Sequence, residues 1–389
     1  MRIAYYCQNV LGIGHFHRSL EICKQLARLH RVTMITGGAS LPGSRSDIDI
    51  SFFQLPGLMM DSRFNNLAPC DSSQTLNETK KLRAEMLYGF FQSYKPDVFL
   101  IELYPFGRKA FRFELDPVLE SIKKGHLSPC LCFCSLRDIL VERHDSTKFE
   151  NRIIATLNSH FDGLLIHGDQ NLISLDQTFS RVSDITVPIA YTGYVTPPVP
   201  DLDRVRLRKN LGIEKDTRLI VASIGGGNVG TELLFAVAES LRFIDDKSLS
   251  LHIFTGPYAS QSVYDSLRNS SDKRIKVERF TPHFTDWLLA ADLSVSMAGY
   301  NTTMNILSTG VPSLLYPFSH NSEQSLRIGK LQKMAPLTIL KGDELSPDRL
   351  AALILGRLAE KRFNPPIRLD GAQITVTIVE QWYQAMREK

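Results

Sequence analysis

Ile3-Ala4-Tyr5-Tyr6-Cys7, followed by Gly12-Ile13-Gly14-His15-Phe16-His17-Arg18, is an apolar strand that runs through a two-glycine turn into an amphipathic helix. The glycines let the backbone turn tightly, and the first N–H groups of the helix can meet an anion or a polarised oxygen. Phe16, Leu20, Cys23 and Ala27 fall at helical spacing and make the stripe that faces a core. At about 100° per residue, Arg18 lies within roughly 60° of His15, while His17 points to nearly the opposite side. His15 is therefore the candidate for chemistry. An ordinary strand-turn-helix junction with surface histidines is the alternative reading, because a short glycine turn is weak on its own.

Outward from this unit, apolar runs alternate with helical patterns at Val32–Thr36, Val98–Glu102, Cys130–Cys134 and Gly163–His167. Such alternation predicts a parallel sheet with crossover helices. At Thr196-Pro197-Pro198-Val199-Pro200 the chain changes character, a charged helix follows from Asp201, and a second series begins with Leu219–Ser223, Leu249–Phe254, Leu293–Ser296 and Ser313–Tyr316. The expected architecture is α/β, with two Rossmann-like doubly wound domains, 1–196 and 197–389. The terminal helix, Ala372–Arg387, is expected to pack back toward the first domain through Ile374, Ile378 and Trp382.

A length of 389 residues suits two domains, and 43% hydrophobic with 22% charged content suits a soluble globular chain. No segment approaches the roughly 18 apolar residues of a membrane span, and no leader precedes the first strand, so a cytoplasmic location is expected. Six cysteines include the alternating Cys130, Cys132 and Cys134, which read as buried thiols on a strand, since no complementary metal-ligand group follows. A net charge of +4 without clustered basic runs suits a phosphate-bearing ligand or an anionic surface and disfavours nucleic acid.

Two more glycine turns follow strands of the second series. Gly225-Gly226-Gly227-Asn228 brings bare backbone close to a sugar or phosphate, or is simply a tight turn. Ala298-Gly299-Tyr300-Asn301-Thr302-Thr303 opens a helix, and its N–H groups, hydroxyls and positive dipole end make a diphosphate site. Neither turn has the lysine of a P-loop, which disfavours an ATPase or kinase.

These turns, with Gly310-Val311-Pro312 and Glu323-Gln324, resemble GT-B fold glycosyltransferases, in particular the peptidoglycan N-acetylglucosaminyltransferase and its predicted bacterial relatives. The resemblance runs strongest over Phe280–Gln324 and is thin over 40–95. It implies a nucleotide-sugar donor, a UDP-sugar first, held by the C-terminal domain, an acceptor held by the N-terminal domain, and reaction in a cleft between them. Phe280 would meet the base through its backbone. Gly14, Gly226 and Gly227 would approach the donor, Gly299, Tyr300, Asn301, Thr302 and Thr303 would hold the diphosphate, and Glu323 and Gln324 would contact the sugar. Where the family carries a Glu for both ribose hydroxyls, this chain has Asn305. An amide still bonds hydroxyls, without the charge-assisted bond that is about twice as strong.

On the acceptor side, Glu102, Arg108 and Arg112 lie in Glu-Leu-Tyr-Pro-Phe-Gly-Arg-Lys-Ala-Phe-Arg after a strand end, and Arg18 and Arg137 complete a set able to fix an anionic or polyhydroxylated acceptor. Arg137 with Asp138 reads equally as a loop ion pair. Leu58-Met59-Met60 reads either as a lipid-facing lip for peripheral membrane contact or as a loop packed on its own domain. The expected reaction is inverting, metal-independent and cofactor-free transfer to an unknown hydroxyl, with His15 as base. A nucleotide-sugar hydrolase of the same fold and a non-catalytic nucleotide-sugar-binding subunit are the alternatives.

Overall fold

A computed structural model describes residues 1–8, 14–38, 49–60, 67–140, 146–200, 203–318 and 322–388. Gly12 and Ile13 of the opening turn, and Asp201, lie outside them. The chain forms two compact units, Met1–Val195 with Arg368–Lys389, and Thr196–Ile367.

The first unit runs β1 (Arg2–Tyr6), α1 (Gly14–Ala27), β2 (Arg31–Thr36), β3 (Ile50–Gln54), β4 (Leu58–Met60), β5 (Leu67–Pro69), α2 (Leu76–Tyr94), β6 (Val98–Glu102), α3 (Arg112–Lys123), β7 (Leu131–Arg137), α4 (Ser146–His160), β8 (Gly163–His167) and β9 (Ile189–Tyr191). Seven parallel strands order as β3-β2-β1-β6-β7-β8-β9, and β4 and β5 form a separate hairpin. Alternation along β1 divides the core. Ala4 and Tyr6 join Leu87 and Phe91 of α2, Leu115 of α3 and Leu157 of α4 on one face. Ile3, Tyr5 and Cys7 meet Phe16, Leu20 and Cys23 of α1 on the other.

The second unit runs α5 (Arg204–Asn210), β10 (Arg218–Ser223), α6 (Thr231–Ser240), β11 (Leu249–Phe254), α7 (Gln261–Arg268), β12 (Ile275–Glu278), α8 (Phe284–Ala290), β13 (Leu293–Met297), α9 (Tyr300–Thr309), β14 (Ser313–Tyr316), α10 (Ser322–Leu331), β15 (Leu337–Ile339) and α11 (Pro347–Arg357). Its six parallel strands order as β12-β11-β10-β13-β14-β15, the arrangement of a doubly wound nucleotide-binding sheet.

After Ile367 the chain returns to the first unit, and α12 (Gly371–Arg387) packs against α1. Assigning 368–389 to the second domain is therefore corrected. The reason is burial: Ala372, Thr375, Val376 and Val379 form the seated stripe, with Ile374, Ile378 and Trp382 flanking it half-buried. Trp382 packs its ring tilted against Phe133 and fills the space a side chain at Gly163 would need.

Leu58 is buried, and Met60 packs against the core, so Leu58-Met59-Met60 is a strand packed on its own domain, with Met59 and Met60 half-buried. Cys7, Cys23, Cys130, Cys132 and Cys134 are buried thiols, and Cys70 is exposed. Among the described residues no helix is long and apolar enough to cross a membrane.

Candidate active site

Each sheet reverses its winding beside its first strand, between β1 and β6 in the first unit and between β10 and β13 in the second. Loops leaving such a pair diverge to opposite faces, which opens a crevice at the carboxyl ends where ligands of this architecture bind. His15, the second residue of α1, and Glu102, the last residue of β6, flank that point in the first unit.

His15 Nδ1 lies 2.5 Å from Glu102 Oε1. Arg18, one helical turn further along α1, donates to the same oxygen at 2.7 Å, and Arg108 donates to Oε2 at 3.3 Å. Glu102, expected to touch an acceptor, instead lies behind His15 with its side chain fully buried. Its position at a strand end explains this, since the last strand residue still points into the sheet's packed layer. Arg18 is likewise buried, with a side chain 2% exposed. Arg108 reaches Glu102 from a loop that holds two non-glycine residues in the left-handed region, Leu103 at φ 67° and Arg108 at φ 57°. Such a conformation costs roughly 1–2 kcal/mol per residue and persists where surrounding contacts over-determine it.

Burial works against the Glu102 charge, but His15, Arg108 and Arg18 hold its carboxyl well below the usual carboxylate range. A carboxylate only accepts, so His15 Nδ1 carries the hydrogen and Nε2 keeps its lone pair. Burial lowers His15, Glu102 pulls it back up by charge and hydrogen bond, and the two guanidiniums lower it again, leaving it at about 4. At neutral pH the ring is therefore an uncharged base of fixed tautomer. Its side chain is 22% exposed, so it remains reachable.

The other acceptor-side residues do not join this cluster. Arg112 is largely exposed and pairs with Asp116 on its own helix at 2.9 Å. Arg137, at the end of β7, is half-buried beside the fully buried Asp138. Behind the site, Tyr5, Ser135, His167 and Thr192 form a buried hydrogen-bond chain across the sheet, with Ser135 Oγ 2.7 Å from both the Tyr5 hydroxyl and His167 Nε2. Arg83 of α2 makes a two-point pair with Glu114 of α3, at 2.7 and 2.6 Å, and also donates to the carbonyls of Gly37 and Pro56. Only the Arg and Glu positions on apolar helix faces signalled this cluster in the sequence.

In the second unit the two glycine turns occupy the corresponding switch point. Gly225–Asn228 leaves β10, and Gly299 stands at the N-terminus of α9 after β13. Gly227, at φ 93°, lies so close to the next loop that a Cβ would sit 2.6 Å from the Thr255 oxygen, whereas a Cβ on Gly299 would meet nothing within 4 Å. The first turn is therefore closed by backbone, and space is left before α9. Tyr300, Asn301, Thr302 and Thr303 form the first turn of α9; the N–H groups of the first three point out of the helix end, whereas the Thr303 N–H donates to the Gly299 carbonyl at 2.9 Å. Thr303 Oγ1 and Asn305 Oδ1 are buried and have no hydrogen-bond partner among the described residues. Buried polar atoms are nearly always bonded, so this pair suits a ligand.

Glu323, in the first turn of α10, pairs with Arg327 at 3.2 Å, and that guanidinium lies over the Tyr300 ring at 5.1 Å. Gln324 accepts the Phe318 N–H at 2.9 Å. Arg327 thus joins α10 to the start of α9, a link without a sequence signal. Phe280 follows β12 and is 39% exposed.

Residues 221–367 match the glycosyltransferase family 28 C-terminal domain. The chain is 24% identical over 155 residues to the UDP-N-acetylglucosamine–N-acetylmuramyl-(pentapeptide) pyrophosphoryl-undecaprenol N-acetylglucosamine transferase of Aquifex aeolicus, over 39% of this chain and 43% of that protein. It is 29% identical over 157 residues to the protein of the same name from Carboxydothermus hydrogenoformans, over 39% and 42% of the two chains. The matches thus span less than half the length of these curated relatives. Among solved structures, the calicheamicin glycosyltransferase CalG4 aligns over 99% of this chain and 94% of its own, with a TM-score of 0.57 at 14% identity. Acinetobacter baumannii MurG aligns over 98% and 99%, with a TM-score of 0.57 at 14% identity. Residues 221–367 are thus similar to the glycosyltransferase family 28 C-terminal domain, in a chain whose fold is that of the GT-B glycosyltransferases.

Proposed function

We propose that this protein transfers a sugar from a nucleoside diphosphate, UDP first, to a hydroxyl acceptor with inversion at the anomeric carbon. The match of residues 221–367 to the glycosyltransferase family 28 C-terminal domain carries the proposal. The relatives' names specify a UDP-N-acetylglucosamine donor, which supports UDP as the nucleotide. In the second unit, the start of α9 and the unpartnered atoms of Thr303 and Asn305 suit a diphosphate and a ribose hydroxyl. Glu323 and Gln324 stand in the first turn of α10, whose Arg327 lies over the Tyr300 ring at the start of α9, and we assign them to the donor sugar.

The acceptor oxygen forms its bond to the anomeric carbon as its proton passes to His15 Nε2. The bond from that carbon to the diphosphate oxygen breaks, and the diphosphate leaves with the electron pair. Glu102 keeps Nδ1 protonated and stabilises the imidazolium as it forms, the role an orienting carboxylate plays beside a general base.

Purified protein incubated with UDP-sugars and candidate hydroxyl acceptors, with nucleoside diphosphate release as readout, tests the proposal. His15→Ala is expected to lose about 10²–10⁴-fold in turnover while still binding nucleotide. Unchanged turnover would remove His15 from the base role. Steady release of free sugar without acceptor would make the enzyme a hydrolase, and nucleotide binding without any turnover would make it a binding subunit.

A further inference from the structure

Beside the donor turn stands an aromatic residue that the family resemblance does not use. Tyr258 follows β11 in the loop Thr255–Ala259, and the residue is 39% exposed. An exposed tyrosine alone is ordinary. This one lies directly against the glycine turn: its N–H donates to the Gly226 carbonyl at 3.0 Å, and its ring edge comes within 3.9 Å of where a Gly226 side chain would begin.

The platform under Tyr258 is made of backbone. A Cβ on Gly227 would strike the Ala259 nitrogen at 2.7 Å, and one on Gly256 would strike the Gly225 oxygen at 2.5 Å, so both loops are glycine-closed onto each other. The next loop is tied to the same platform. Gly256 N–H donates to the Arg279 carbonyl at 2.8 Å, and the Arg279 guanidinium donates back to the Ala259 carbonyl at 2.8 Å while lying 4.5 Å over the Tyr264 ring. Phe280, also 39% exposed, follows Arg279 directly. The carboxyl ends of β10, β11 and β12 therefore carry a rigid backbone shelf with two exposed aromatic residues, next to the switch point where the second sheet binds ligand.

We propose that Tyr258 is a further binding residue of the donor site, offering its ring as the stacking face for the base of the nucleoside diphosphate. This rests on the donor-site reading above. A flat, partly exposed ring on a fixed shelf suits a heterocycle, because stacking needs a π-face held in place and little else. It binds the base and contributes nothing to the diphosphate, which α9 serves.

Isothermal titration of the full chain with UDP and with inorganic pyrophosphate tests the assignment. Tyr258→Ala should weaken UDP by roughly 5- to 150-fold, the range for one lost base–aromatic stack, and leave pyrophosphate unchanged. Tyr258→Phe should bind UDP as the parent does. Tyr258→Trp provides an independent signal, since its fluorescence should be quenched by UDP and not by pyrophosphate, against a background of two native tryptophans. If the parent binds UDP, and Tyr258→Ala binds it equally or loses pyrophosphate in the same proportion, the stacking assignment is overturned while the donor site stands. Failure of the parent to bind any nucleoside diphosphate would overturn both.

Discussion

Replacing Glu102 with Gln keeps the side chain's shape and removes the charge that three groups share. The carboxylate is fully buried and meets His15 at 2.5 Å, Arg18 at 2.7 Å and Arg108 at 3.3 Å. Removing one partner of a buried pair costs about 3–5 kcal/mol, because the charge left behind cannot hydrate. Arg18, with a side chain 2% exposed, is that charge. Domains are stable by about 5–15 kcal/mol, so the variant should fold, with a urea midpoint about 1–2 M lower for a slope near 3 kcal/mol/M. The sign for His15 is independent of this. The carboxylate favours imidazolium, and an opposite charge within about 4–6 Å is worth about 1–3 pKa units. His15 should therefore titrate below its native value of about 4. Histidine ¹H–¹⁵N NMR reads both the titration and the tautomer, and turnover should fall about 10²–10⁴-fold. An imidazole that titrates near its ordinary value in the variant, together with an unchanged urea midpoint, would refute the coupling.

His167 is fully buried and held neutral, at about 3 against an ordinary 6.5, chiefly by burial. A lowered imidazole contributes stability that is present above about 6.5 and lost as pH falls toward 3, on the order of 4–5 kcal/mol in all. Urea midpoints measured from pH 7 to pH 4 should fall in the parent, and His167→Gln should flatten that slope by about one proton. Glu114→Gln should cost about 3–5 kcal/mol by stranding Arg83, whereas Arg83→Met with Glu114→Met should be more stable than Glu114→Gln alone, as thermal melts would show. Gly227→Ala should lower the melting temperature, given φ 93° and a Cβ 2.6 Å from a backbone oxygen. Gly299→Ala, in open space, should melt normally and bind UDP more weakly; normal binding would move the diphosphate away from α9.

The sequence by itself determined the two doubly wound sheets, because their central strands are buried on both faces and must be continuous apolar runs. β6, β8, β11 and β14 match the sequence segments Val98–Glu102, Gly163–His167, Leu249–Phe254 and Ser313–Tyr316 end to end. Edge strands escaped for the opposite reason. β3, with Ser51, Phe52 and Gln54 exposed, and β12, in which Lys276 and Glu278 alternate with apolar residues, carry no continuous apolar run, and the half-buried β9 is apolar but only three residues long. The glycine turns were legible too, since a tight approach of backbone leaves no substitute for glycine.

Only the tertiary structure decided what the polar residues face. His15 and Glu102 are 87 positions apart, and their meeting follows from β1 and β6 being neighbours in the sheet. That pairing turned Glu102 from an acceptor contact into the partner that sets the tautomer of His15. Burial likewise seated α12 on the first unit and brought the Tyr258 loop against Gly226. Periodicity reports which side of an element is apolar. Which distant element lies against that side is settled by packing.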